Sequence, residues 1–297
     1  MKINQLQVFV TVAEEKSLRA AARCLNLTQP AVTRSVQELE SDLGVVLMTR
    51  NVQGITLTEC GKALQIRAHQ ILEDVRRARE ELDQITHNMR GKVTVSATST
   101  IALSLLPKAL EQFQKTAPDA EMTFMEVKFP LAAQHLRDGS LDFVVSHELP
   151  DMLGDDLISL PLFSTDFVVM ARAGHPLANA RHLRELTDAQ WLSTVPSGGF
   201  QHSVMETMFG HAGLPLPRRI VHCSSFAIAL GLVTGTDSLV LFSRLLADSI
   251  ASFGLQRIPL EQKLPALEMS IILRKGTLLT PVAQRFMECL RAVVKHR

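Results

Sequence analysis

Several signatures that mark catalysts, metal proteins and membrane proteins are missing from this chain. Its four cysteines, Cys24, Cys60, Cys223 and Cys289, are scattered with no CxxC spacing. That excludes a zinc ribbon or a disulfide framework and leaves reduced thiols, as in a cytosolic protein. The ten histidines show no HxxxH or HExxH pair, so no metal is expected. GxSxG, P-loop and GxGxxG patterns are absent, and the GLVTGT around Gly231 and Gly235 is too short to count. No enzymatic motif and no cofactor are therefore expected. No apolar run approaches the length of a bilayer. Lys2 and Asn4 lead directly into an amphipathic helix rather than a signal peptide, so a cytoplasmic protein without a membrane partner is expected. A large charge of one sign is also lacking. The formal net charge is +1, which argues against a protein held to nucleic acid by bulk electrostatics alone.

What is present is a long chain with ample apolar content: 297 residues, 46% hydrophobic and 21% charged. That is the profile of a globular protein of more than one domain. The most informative stretch is Ser17 to Gly44, SLRAAARCLNLTQPAVTRSVQELESDLG. Leu18, Ala21, Ala22 and Leu25 recur on one helical face, with Ser17 as an N-cap and Asn26 as a left-handed stop. Thr28 caps a second helix, and Pro30 sits in its first turn, where a missing N–H costs little. Val32, Val36, Leu39 and Leu43 form its apolar stripe, and Gly44 ends it. The opposite face carries Pro30, Thr33, Arg34 and Gln37. A short polar face of this kind suits a helix entering the DNA major groove.

The neighbouring segments extend this unit. Ile3, Leu6, Phe9, Val10 and Ala13 form a preceding amphipathic helix. VVLMTR and GITLTECG are β-prone runs separated by Asn51–Gly54, a hairpin signal with Gly at the turn. Three helices and a hairpin make a winged helix-turn-helix. The segment resembles the N-terminal domain of LysR-type transcriptional regulators. The matching residues are Leu6, Phe9, Ser17 to Ala22, Leu27 to Thr33, Leu39-Glu40, Leu43-Gly44, Leu47, Arg50, Leu57-Thr58-Glu59 and Gly61. Met48 stands where Phe is usual and Cys60 where Ala is usual. The expected DNA-contacting set is Ser17, Leu18, Arg19, Thr28, Gln29, Pro30, Thr33, Arg34, Gln37 and Arg50. Gln29, Thr33 and Arg34 are expected to read bases or adjacent phosphates, and Thr28 and Arg50 to hold the backbone. Over residues 1–58, six basic side chains (Lys2, Lys16, Arg19, Arg23, Arg34, Arg50) face five acidic ones (Glu14, Glu15, Glu38, Glu40, Asp42). Affinity must then come from geometry and from doubling the site.

Thr58 to about Asn88 reads as one long helix. Leu64, Ala68, Ile71, Val75, Ala78, Leu82 and Ile85 alternate by four and three residues, a heptad seam. Leu64 to Leu82 of that seam are the expected dimer contacts. Met89-Arg90-Gly91 marks a boundary. Beyond it, short β-branched runs alternate with helical ones (VTVSA, MTFMEV, LDFVVS, DFVVMA, RIVHCSS, SLVLFS, SIILR), which predicts an α/β domain with a largely parallel sheet. IALSLLPKALEQFQK reads as one helix within it. The expected fold class is therefore α/β with an all-α, winged N-terminal domain. The domain limits are 1–58, a linker and dimerisation helix at 59–90, and an effector domain at 91–297.

The resemblance makes the effector domain specific. It implies two α/β lobes joined by crossover strands, as in type 2 periplasmic binding proteins. Lobe I is placed at about 92–162 and 268–297, and lobe II at about 163–267. It also implies a dimer that commonly assembles into a tetramer, and a small-molecule effector between the lobes. Three strand ends carry hydroxyls at a helix start: Thr98-Ser99-Thr100; Pro196-Ser197-Gly198 with Phe200; and Ser225-Phe226. Backbone N–H groups there attract anions. With Phe129, Ser146 and His147 these residues form the expected site for a small organic anion. His202 falls near the same opening. Each hydroxyl has an equally ordinary use as a helix cap.

The expected function is a sequence-specific regulator of transcription. Its partners would be double-stranded DNA at a near-palindromic promoter site, the anion, and itself, with RNA polymerase a further candidate. The chain looks most similar to regulators of aromatic-compound or amino-acid catabolism, such as the toluenesulfonate-responsive type. A solute-binding or enzymatic α/β domain with a DNA-binding appendage is the competing reading.

Overall fold

The computed structural model describes residues 1–51, 54–86, 90–147, 153–194 and 200–295, with the side chains of 85, 86 and 200–203 left out. Three helices open the chain: α1 (Ile3–Glu15), α2 (Leu18–Cys24) and α3 (Gln29–Leu43). Strands β1 (Met48–Asn51) and β2 (Gly54–Leu57) pair antiparallel as a wing. The chain's local signals hold in detail. Ser17 Oγ accepts the Ala20 N–H at 3.3 Å, and Thr28 Oγ1 accepts the Ala31 N–H at 3.4 Å. Asn26 takes φ 53° and Gly44 φ 69°, both left-handed stops.

α1 is buried on two faces. Val8 and Val12 join Ala21, Ala22, Val32, Val36 and Ile55. Leu6, Phe9 and Val10 join Leu39, Leu47 and Ala68. Ile3, assigned to the apolar face by periodicity, is instead 45% exposed. Ala68 belongs to α4 (Glu59–Thr86), the long linker helix, which therefore docks on the winged head along α1.

The junction between wing and linker explains one glycine. A Cβ on Gly61 would lie 1.9 Å from the Leu47 carbonyl oxygen, so only glycine allows α4 to start there. Thr58 seals the junction: its Oγ1 donates to the Val46 carbonyl at 2.7 Å and accepts the Gly61 N–H at 3.0 Å.

Among the described residues, the remaining chain builds one nine-stranded sheet, ordered β4-β3-β5-β11-β6-β9-β7-β8, with β10 also on β6. Its first part holds β3 (Lys92–Ala97), β4 (Glu121–Met125) and β5 (Phe143–His147). Its far part holds β7 (Gln190–Ser193), β8 (Arg219–His222), β9 (Ser238–Ser243) and β10 (Leu255–Arg257). Two strands run between them: β6 (Leu157–Arg172) and β11 (Ala266–Arg274). Along β6, residues 157–166 pair with β11, and 167–170 pair with β9. The sheet is mixed rather than largely parallel. β3–β4, β3–β5, β7–β8 and β7–β9 are parallel, but every pairing made by β6 or β11 is antiparallel. The reason is that these strands return the chain between the two parts instead of following a crossover helix.

Helices cover the sheet: α5 (Ser99–Ser104), α6 (Leu106–Gln114), α7 (Leu131–Asp138), α8 (Phe200–His211), α9 (Phe226–Gly235), α10 (Arg244–Ser249) and α11 (Pro281–Lys295). The single helix expected over 101–115 is broken at Leu105, because Pro107 sits in the first turn of α6 and cannot continue an earlier helix. Phe286 of α11 closes the first part's core against Phe113, with ring centroids 5.3 Å apart.

α4 also docks on the first part. Gln70 and Arg77 donate to the carbonyls of Arg137 and Gly139 at the end of α7, at 2.5 and 3.0 Å. Gln84 accepts the Val282 N–H at the start of α11. Arg77 and Asp142 form an ion pair at 3.1 Å, with side chains only 7% and 3% exposed.

Candidate nucleic-acid interface and inter-lobe cleft

On α3 the polar face stands away from the core. Gln29, Pro30, Arg34 and Gln37 are exposed, and Arg19 of α2 and Arg50 of β1 are exposed beside it. A shallow hollow of about 140 Å³ lies between α3 and the wing, lined by Leu18, Thr33, Val36, Gln37, Met48, Thr49, Arg50 and Ile55. Thus the expected Leu18, Thr33, Gln37 and Arg50 meet at one place, with Gln29, Pro30 and Arg34 along the same helix. Ser17 and Thr28 are engaged as caps. The Thr33 hydroxyl turns back onto the Gln29 carbonyl at 3.0 Å.

Two acidic residues were missed. Glu38 accepts from Arg34 Nε at 2.9 Å, although the Arg34 side chain is 81% exposed. The i,i+4 spacing already carried that signal. Glu40 accepts the N–H groups of Leu47 and Met48 at 2.7 and 3.3 Å, so its carboxylate fixes where the wing leaves α3. Nothing local in the sequence reveals that bond.

The dimer seam divides when placed on α4. Ala68 is fully buried inside its own chain, and Leu64 and Ile71 pack against the same cluster. Ala68 is taken up by the head, which supplies Leu6 and Phe9 as its partners, while Leu64 and Ile71 stay half-buried at the edge of that cluster. Val75 is half-buried and Ala78 exposed. Leu82 is 64% exposed.

The expected effector residues also divide. Thr100 is buried and its hydroxyl meets Ser243 Oγ at 3.1 Å, tying α5 to the start of α10. Ser225 caps α9 by accepting the Ile228 N–H, the ordinary role of such a serine. Phe226 is half-buried and packs on Phe242 with centroids 5.5 Å apart, at the edge of a core cluster. Phe129 is half-buried beside Ala132 and Leu136. Thr98 takes the cap position of α5 without a side-chain capping bond. Ser146 is buried within β5. His147 ends that strand, and burial lowers its pKa from 6.5 to about 4. It is therefore neutral near pH 7. Pro196, Ser197 and Gly198 lie outside the described residues, as do the side chains of Phe200 and His202.

Ser99 is the unexpected case. Its hydroxyl donates to the carboxylate of Glu126, which places a negative charge where an anion was expected. The nearest cation along the chain is Lys128, two residues on. Its ammonium donates to the carbonyls of Thr194 and Ser224 at 2.8 and 3.0 Å. Those carbonyls lie just beyond β7 and β8, so Lys128 spans from the first part of the sheet to the far part. Val127 between the two charges is pinned by the Ser96 hydroxyl at 3.1 Å. Sequence reading passed over Lys128 because a single lysine after a strand carries no motif.

Among the described residues, no group of three or more His, Cys, Asp or Glu side chains could hold a metal ion, and no helix is long and apolar enough to cross a membrane.

Two family profiles match the chain. One, described as bacterial regulatory helix-turn-helix protein, lysR family, matches residues 3–62. The other, LysR substrate binding domain, matches residues 86–295. The HTH-type transcriptional regulator GalR of Pseudomonas putida is 32% identical over 297 residues, covering 99% of this chain and 74% of its own length. Full-length CbnR, solved in complex with its target DNA, superposes with a TM-score of 0.70 at 24% identity, covering 99% of this chain and 100% of that one. Full-length OxyR of Pseudomonas aeruginosa gives 0.72 at 24% identity, covering 99% and 95%. At that identity the two structures carry the fold alone.

Proposed function

This chain belongs to the LysR family of bacterial transcriptional regulators, and from that membership we propose how it binds its ligands. It is a DNA-binding regulator with an effector-binding domain. Within that frame, residues 1–58 form the reading head, 59–90 the linker and 91–297 the effector domain. Lobe I comprises about 92–162 and 268–297, and lobe II about 163–267. Gln29, Thr33, Arg34 and Gln37 read the major groove, and Arg50 holds phosphate at the wing. The chain acts as a regulator rather than an enzyme, in the cytoplasm.

The effector is a small organic anion, and Lys128 anchors it. One observation carries this: Lys128 already bridges the lobes through the Thr194 and Ser224 carbonyls. An ammonium bound to neutral carbonyls can exchange one of them for a carboxylate, a stronger, charge-assisted partner. Such a ligand favours one lobe arrangement over the other and shifts their populations. Glu126 restricts the anion to the Lys128 side and away from Ser99. Cross-linking the regulator in cells and sequencing the bound DNA gives the operon, whose products nominate anions to test. Lys128→Met should then abolish the effector response while promoter affinity without effector stays within about twofold, since Lys128 is remote from the recognition helix. An unchanged response would remove Lys128 from the site.

The regulator pairs with a second copy, doubling the head on a near-palindromic site. Leu82 and Ala78 on the uncovered face of α4 serve as contacts. Leu82→Asp should yield monomers in sedimentation with the fold intact, and a persisting dimer would place the interface elsewhere.

A further inference from the structure

A second cavity lies far from the cleft, between the linker helix and the first lobe. Its volume is about 630 Å³, within the size range of small-molecule sites. Ala63, Ile66, Arg67 and Gln70 of α4 form one wall, half apolar and half polar. Arg137, Asp156, Arg274 and Lys275 form the other. Four cations face one carboxylate, in a chain whose net charge is only +1.

The wall is organised by hydrogen bonds. Arg137 holds Asp156 through two bonds, at 2.6 and 3.0 Å, and neutralises it. That pairing keeps the Asp156 carboxyl below its usual pKa. Gln70 bridges the walls: it accepts from Arg67 at 3.1 Å and donates to the Arg137 carbonyl. Arg274 is held by Asp74 and Thr277 at 3.1 and 2.8 Å. Arg67 and Lys275 have no carboxylate partner among the described residues. Two cations without a carboxylate partner among the described residues thus line a concave space that is already framed.

We propose that this groove binds a small multivalent oxyanion, a compact polyphosphate or polycarboxylate, as a second ligand separate from the inter-lobe effector. Arg67 supplies planar donors and Lys275 a point charge, which together match two anionic groups. Because the walls belong to α4 and to the lobe, a bound anion staples the linker to the lobe. The site is independent of Lys128, so either reading can fail alone.

Titration of the full chain with sodium pyrophosphate, at constant ionic strength, tests this by calorimetry and thermal unfolding. Saturable binding at one site per chain is expected, with a raised Tm. Arg67→Gln and Lys275→Gln should each weaken it about tenfold or more, and the double variant should abolish it. A Lys128→Met control should leave it unchanged. Citrate in place of pyrophosphate separates carboxylate from phosphate ligands, and saturable binding of either supports the site. Equal effects from sodium chloride at matched ionic strength would reduce the groove to charge screening and overturn the proposal. So would unchanged pyrophosphate binding in the double variant, or variants that alter only dimerisation or DNA affinity.

Discussion

On the recognition helix Gln29, Arg34 and Gln37 stand exposed, and among the described residues the Arg34 guanidinium is tied to a neighbour on its own helix, Glu38. In the effector domain the polar side chains expected to serve a ligand are mostly engaged by the protein. Thr100 of α5 bonds Ser243 at the end of β9, Ser225 caps a helix, and Ser99 holds Glu126. The head exposes a local polar stripe on a rigid scaffold, whereas the effector domain uses polar groups to hold distant segments together. A change in the first should therefore alter binding and leave stability alone. A change in the second should do the reverse, unless it touches a ligand directly.

The strongest test of that contrast is Arg77→Met. It leaves Asp142 buried without its counter-charge, and removing one partner of a buried pair costs about 3–5 kcal/mol. The Gly139 carbonyl loses its donor as well. Urea unfolding should show the loss. A drop below about 1 kcal/mol would mean that the pair behaves like a surface bridge, and that the linker is not fixed to the lobe through it.

A second, smaller effect depends on pH. His147 has a folded pKa of about 4 against 6.5 when unperturbed. In the window between those values the unfolded chain binds a proton that the folded chain refuses. Stability therefore falls as pH drops from 6.5 towards 4 and is constant above. For a partly exposed ring the loss should be roughly 2–3 kcal/mol. His147→Gln should flatten that part of the profile. An identical acid slope in the variant would assign the loss to other groups.

How much of this was legible in the sequence follows the same division. The head could be read because its signals are local: Ser17, Thr28, Asn26 and Gly44 each act within a few residues, and the polar face of α3 follows from helical geometry. The alternation of strands and helices gave the α/β texture, but the antiparallel crossovers did not show, since strand direction depends on distant partners, from Met170 with Val240 to Val144 with Ile272. The seam on α4 is a case of correct periodicity with two destinations. Ala68 meets α1 and Leu82 meets solvent, yet both have the same spacing. The cleft was least legible, because Lys128 gains its meaning only from carbonyls 66 and 96 residues away.

The smallest expected effect lies in the head. Arg34→Ala should leave the unfolding midpoint unchanged, because an exposed pair with Glu38 contributes about 0–1 kcal/mol. It should cost about 1–3 kcal/mol of promoter binding and relax preference at one base pair if the guanidinium reads a base edge. Uniform weakening across sequences, with a lower salt slope, would instead make Arg34 a phosphate contact. Glu38→Gln completes the comparison. Arg34 must turn from Glu38 to reach DNA, and the carboxylate repels phosphate nearby, so the variant should bind specific and non-specific DNA more tightly. If affinity gains only on non-specific DNA, then Glu38 acts as a selectivity element, keeping Arg34 from gripping any backbone until the correct base is in reach.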